Sequence, residues 1–79
     1  MKKLITKDAV ALIVKLAQED IIIESYVCYS FQITLTLVRP AYARNPNGIE
    51  ILTTITQEDI DNNGGGEGMA LKLLTEDLK

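Results

Sequence analysis

The 79-residue sequence has no histidine, no tryptophan, one cysteine, one phenylalanine and two prolines. Without histidine it lacks the side chain whose ordinary pKa falls between pH 5 and 8, so Ser–His and Cys–His catalysis is excluded. One cysteine, Cys28, excludes an intramolecular disulfide, and a metal staple would have to use carboxylates without imidazole. Aromatic residues make up only 5% of the chain, so its core must be aliphatic. A core of this size seldom supplies more than about 3–5 kcal/mol. With both staples missing, association with another chain is the remaining common source of stability.

Long hydrophobic runs are also missing. No stretch approaches the ~20 apolar residues of a membrane span. The opening "MKKLITKDAVALIVKLAQED" has early lysines and an apolar run at 9–14. Asp8 and Lys15 bracket that run, and acids stand where a signal-peptide cleavage site would need small residues. The expectation is a soluble, cytoplasmic protein, consistent with a lone cysteine. A net charge of −3 argues against duplex nucleic acid as a general partner. The hydrophobic share of 47% argues for a folded chain, here one domain over 1–79.

What the sequence does contain begins with a helix. Thr6 is placed as its N-cap, Asp8 lies in the first turn, and Ile5 precedes Val10 at staple spacing. The body "AVALIVKLAQ" is apolar almost all round, broken mainly by Lys15. An ordinary surface helix shows a polar face. Both sides of this one must be covered, within the fold or by another copy.

Residues 21–38 contain no Gly, Pro, Asn or Asp. Tyr29, Phe31, Ile33, Leu35 and Leu37 alternate with polar residues, and Ile21, Ile23 and Val27 keep the same phase. As one strand this stretch would run about 60 Å at ~3.3 Å per residue. A compact domain of this length has a diameter of roughly 30 Å. The strand must bend, break near residues 24–30, or project and pair with something else.

"RPAYARNPNG", 39–48, reads as a loop ending in the turn signal Asn47-Gly48, and "IEILTTIT", 49–56, as a second strand. Pairing 31–38 with 49–56 makes an antiparallel hairpin and leaves 21–29 without a partner in the same chain. Thr56 is placed to cap a short turn over "QEDID", and a glycine-rich hinge at 59–68 precedes a closing helix. Ala70, Leu71, Leu74 and Leu78 form the apolar stripe of that helix. The expected fold is a small two-layer α+β domain of order α-β-β-α, with both helices on one sheet face. Its first strand is long or split, and its sheet is extended by homo-oligomerisation. Leu12, Leu16, Ile21, Ile23 and Val27 are the expected contacts between copies.

The segment "DIDNNGGGEGMA" begins like a calcium loop, with Asp59, Asp61, Asn63 and Gly64 at positions 1, 3, 5 and 6. Position 12 is Ala70, where a bidentate glutamate belongs. The sequence therefore assigns a hinge there, and no metal. Ser25, Ser30 and Cys28 lack a base, and the clusters Glu19/Asp20/Glu24 and Glu58/Asp59/Asp61 sit at element ends as solvated charges. No catalytic residue or cofactor is assigned. Arg39, Tyr42 and Arg44 on one loop are the candidate binding residues, because Arg and Tyr are enriched at interface hot spots and on single-stranded nucleic acid.

The functional expectation is a small non-enzymatic adaptor, inhibitor or accessory protein. It would act as a homodimer or higher oligomer through a sheet edge and the 39–48 loop, with another protein as partner and no membrane. The alternative is a module that sequesters an anionic ligand, a nucleotide or single-stranded nucleic acid, through Arg39, Tyr42 and Arg44. An enzyme with its site between subunits is the third reading.

Overall fold

The computed structural model describes residues 2–40 and 48–78. Among them the chain forms α1 (Thr6–Gln18), β1 (Ile22–Cys28), β2 (Gln32–Arg39), β3 (Ile49–Thr56), α2 (Gln57–Asn62) and α3 (Gly66–Lys72). A π-helical turn, Leu73–Asp77, ends the chain's regular structure. The strands form one antiparallel sheet in the order β1-β2-β3. The domain is thus α+β with its helices on one sheet face, and of the two forms expected for the first strand, long or split, it takes the split one, which makes three strands.

The difference lies in the long extended stretch. It breaks at Ser30–Phe31, and the Tyr29 N–H donates to the Gln32 carbonyl across the turn (2.8 Å). Residues 22–28 then fold back onto β2, with Ile22 opposite Val38 and Cys28 opposite Ile33. The segment expected to lack a partner in this chain has one on its β2 side. No residue of the turn needs a positive φ, so neither glycine nor asparagine marks it. The β2–β3 pairing follows the sequence expectation, from Gln32 opposite Thr56 to Arg39 opposite Ile49.

A register shift between Ile23 and Ser25 marks a bulge at Glu24. One extra residue exchanges the faces of the strand beyond it. Ile23 lies opposite Leu37 on the helix side, whereas Val27 lies opposite Thr34 on the open side. Tyr26 and Cys28, opposite Leu35 and Ile33, therefore point toward the helical layer. The open face carries a hydroxyl ladder, Ser25–Thr36 (3.1 Å) and Thr34–Thr54 (3.2 Å).

The core is aliphatic, as the composition requires. Ile33, Leu35 and Leu37 of β2 and Ile55 of β3 pack with Leu12 and Leu16 of α1, Ile60 of α2, and Met69, Ala70 and Leu73 at the C-terminal end. Leu12, Leu16 and Ile21, expected between copies, are buried inside the single chain, and Ile23 packs half-buried against the same core. Ala9, Leu12 and Leu16 give α1 a buried face within the fold, while Val10 and Val14 stay half exposed.

The helix ends explain the local chain path. Thr6 lies inside α1, and the N-cap position falls on Ile5, which offers no side-chain oxygen. Gln57 serves instead from the start of α2. Its Oε1 accepts from the Ile5 N–H (2.8 Å), and its Nε2 donates to Asp8 (2.7 Å) and Asp61 (3.0 Å). This fully buried amide is thereby satisfied. Thr56 and Asp59 form the capping box of α2, each side chain accepting from the other's backbone N–H.

Both α1 and α2 end in Schellman turns. At α2 the Gly65 N–H donates to the Ile60 carbonyl (2.8 Å), with Gly64 left-handed at φ +83°. At α1 the Ile21 N–H donates to Leu16 (3.1 Å), and Asp20 takes the left-handed position at φ +62°. The expected 59–68 hinge is thus the end of α2, a turn and the start of α3. Gly66 there lies against α1 so closely that a Cβ would sit 2.1 Å from the Asp8 carbonyl oxygen. Beyond it the π turn lets the Leu78 N–H reach the Leu73 carbonyl (2.8 Å). That wider turn brings Leu78 into the core beside Leu73, while Leu71, expected on the buried stripe, is exposed.

Candidate functional site

The helical layer does not reach across the whole sheet. Between α1 and the C-terminal half of β1 lies a groove of about 520 Å³, with Ala9, Val10 and Ile13 on one wall and Tyr26 and Cys28 on the other. The spacing 6, 9, 10, 13 puts one stripe of α1 along it. The β1 wall faces the groove because the Glu24 bulge turned Tyr26 and Cys28 to the helix side. Tyr26 is 58% and Val10 52% exposed, large apolar surface that no element among the described residues covers.

The groove runs beside a free strand edge. β1 is an outer strand, and among the described residues no segment pairs with its second edge. The Tyr29–Gln32 bond sets the ladder's alternation. Val27 and Ser25 direct their N–H groups at β2, while those of Tyr26 and Cys28 point outward. Natural edge strands are commonly blunted by lysine, proline or a covering segment. "IIESYVC" contains no lysine and no proline, and its one charge is Glu24.

The other edge differs. β3 carries Glu50, and Glu76 and Asp77 flank a crevice at Ile51–Thr53. Carboxylates there oppose a second acidic chain.

Of the candidate binding residues, Arg39 ends β2, and its Nε donates to the Leu78 carbonyl, tying the C-terminal turn to the sheet. Tyr42 and Arg44 lie outside the described residues. Val27 is half exposed on the open face, apart from the buried Leu12, Leu16 and Ile21. Three of the clustered acidic residues have structural partners. Asp59 caps α2, Glu19 pairs with Lys15 (3.3 Å), and Asp61 pairs with Lys2. Hydrogen bonds from Lys2 and then Gln57 hold the Asp61 carboxyl below its usual range, and the Asp61 bond raises Lys2.

Sequence reasoning placed Val27 and Ile23 on one apolar face and so missed Tyr26, Cys28 and Val10 as neighbours. The available signal was the all-round apolar α1, which needs a second surface beyond its sheet contact. Comparison with known protein families, curated proteins and solved structures finds no match.

Proposed function

We propose that this chain is a non-enzymatic interaction protein that takes an extended, apolar polypeptide segment along β1. The incoming strand would hydrogen-bond to the outward backbone groups of β1, including the Tyr26 and Cys28 N–H groups. Its alternate side chains would enter the groove beside α1. This is strand addition, in which main-chain bonds supply affinity and side-chain pockets supply selectivity. The observation that carries the reading is an outer strand without lysine or proline, lying beside an exposed apolar groove.

The anionic-ligand reading rests on Arg39, Tyr42 and Arg44. Arg39 directs its Nε to the chain's own Leu78 carbonyl, so the β1 reading is preferred. The single exposed thiol of Cys28 fits a reducing compartment and is the basis for proposing a cytoplasmic setting.

The test is an amide NMR titration of low-micromolar protein with a ten-residue peptide of alternating valine and threonine. Shifts concentrated on 22–28, Val10 and Ile13 are expected. Shifts confined to the acidic β3 edge would overturn the assignment.

A further inference from the structure

We infer that the segment occupying the β1 edge is β1 of a second copy of this chain, paired antiparallel about a two-fold axis. The inference rests on the β1-edge reading and names its occupant. An axis normal to the sheet joins two three-stranded sheets into one of six strands. It also keeps both helical layers on the same side, so the two grooves meet across the axis and become one enclosed apolar seam. Each groove is incomplete without the other copy.

The exposed surface has the size this requires. A stable interface buries about 800 Å² per partner, a little over half of it apolar. An aromatic side chain carries about 150–250 Å², so Tyr26 and Tyr29, 58% and 55% exposed, offer on the order of 200 Å². Val10, Ile22 and Val27, each about half exposed, raise this to roughly 400 Å², near the apolar share.

Charge separates the possible pairings. Joining two β3 edges would bring Glu50, Glu76 and Asp77 of both copies together, whereas joining two β1 edges brings Glu24 of the strand and Lys3 of the groove, charges of opposite sign. Pairing β1 with β3 is head-to-tail and leaves free edges for further growth, whereas β1 with β1 closes.

Sedimentation velocity across low to high micromolar concentration tests the inference on the native chain and two variants. Val27→Lys sets two ammonium groups near the axis on the open face, and Cys28→Pro removes an outward N–H at an edge position that tolerates proline. A concentration-dependent dimer is expected for the native chain, with each variant raising its dissociation constant about a hundredfold or more. Amide exchange at Tyr26 and Cys28, slowing as native protein concentration rises, reads the same contact without any substitution. A native chain that stays monomeric yet binds the valine–threonine peptide along 22–28 overturns the second copy and leaves the β1-edge reading standing. A monomer that binds no peptide overturns both. A dimer whose Tyr26 and Cys28 amides exchange independently of concentration overturns this inference alone.

Discussion

Helix α1 has two flanks that behave in opposite ways. On one, Asp8, Ala11 and Leu12 meet Gly66 of α3 with no room for a methyl group. On the other, Ala9, Val10 and Ile13 face Tyr26 and Cys28 across an open groove. The closed flank is made by a residue with no side chain, which lets two backbones touch. The open flank carries large side chains on both walls, and no further element of the described chain fills the space between them. Tight packing in this domain therefore depends on what one position omits, and the exposed surface depends on what several positions carry.

The closed flank is where substitution should do most damage. Gly66→Ala would place its Cβ 2.1 Å from the Asp8 carbonyl and 2.9 Å from the Leu12 nitrogen, both backbone atoms. A loss of about 3 kcal/mol is expected, the upper end of overpacking effects, measured by urea denaturation. A loss under about 1 kcal/mol would show that the two helices separate easily.

Gln57→Leu comes next. It removes the acceptor for the Ile5 N–H and the donor to Asp8 and Asp61. The expected loss is about 1–3 kcal/mol, with faster amide exchange at Ile5.

On the open flank, Val10→Ser should shift monomer stability by no more than about 0.5 kcal/mol. A much larger loss would mean that the groove wall is already part of the core.

Asp20→Gly sharpens a second contrast, between the two Schellman turns. The α2 turn has Gly64 at its left-handed position, and the α1 turn has aspartate. Glycine at 20 should raise stability by about 0.5–1 kcal/mol, less than the full left-handed penalty because it also frees the unfolded chain.

The smallest effect concerns the Lys2–Asp61 pair, whose groups are solvent-exposed. Asp61 is lowered from 3.8, so its contribution is present above that pH and fades as pH falls through the folded value. Lys2 is raised from 10.5, so its contribution is present below that pH and fades as pH rises further. Lys2→Ala should weaken the acid and alkaline slopes of stability that this pair adds, as seen in thermal melts from pH 2 to 11.

The legibility of the fold followed the strength of local patterns. The β2–β3 hairpin was readable because alternation in "FQITLTLV" and "IEILTTIT" fixes which faces meet, and Pro40, Pro46 and Asn47-Gly48 mark the connection. The capping box at Thr56 and Asp59 was half readable, from Thr56 before "QEDID". The β1–β2 turn was not, because Ser30 and Phe31 bend with ordinary φ values and leave no compositional mark. The bulge at Glu24 hid the site for a related reason. Counting by twos from Ile21 carries Val27 onto the helix side and Tyr26 and Cys28 off it, the reverse of what the bulge produces. Leu71 was misplaced because α3 turns the stripe Gly66, Met69, Ala70 and Leu73 to the core and leaves Leu71 outside it, and the π turn beyond then brings in Leu78.

The sequence alone determined an aliphatic core, antiparallel pairing of β2 with β3, helices at both ends, and an excess of apolar extended backbone. These follow from composition and from periodicities of 2 and 3.6, which each segment carries by itself. Only the tertiary structure decided where the long stretch breaks, which faces Tyr26 and Val27 take, and that Leu12 and Leu16 are covered from within the chain. Those outcomes depend on a one-residue register and on a glycine-tight helix crossing. Both are set by distant parts of the chain fitting together, and no local pattern encodes that fit.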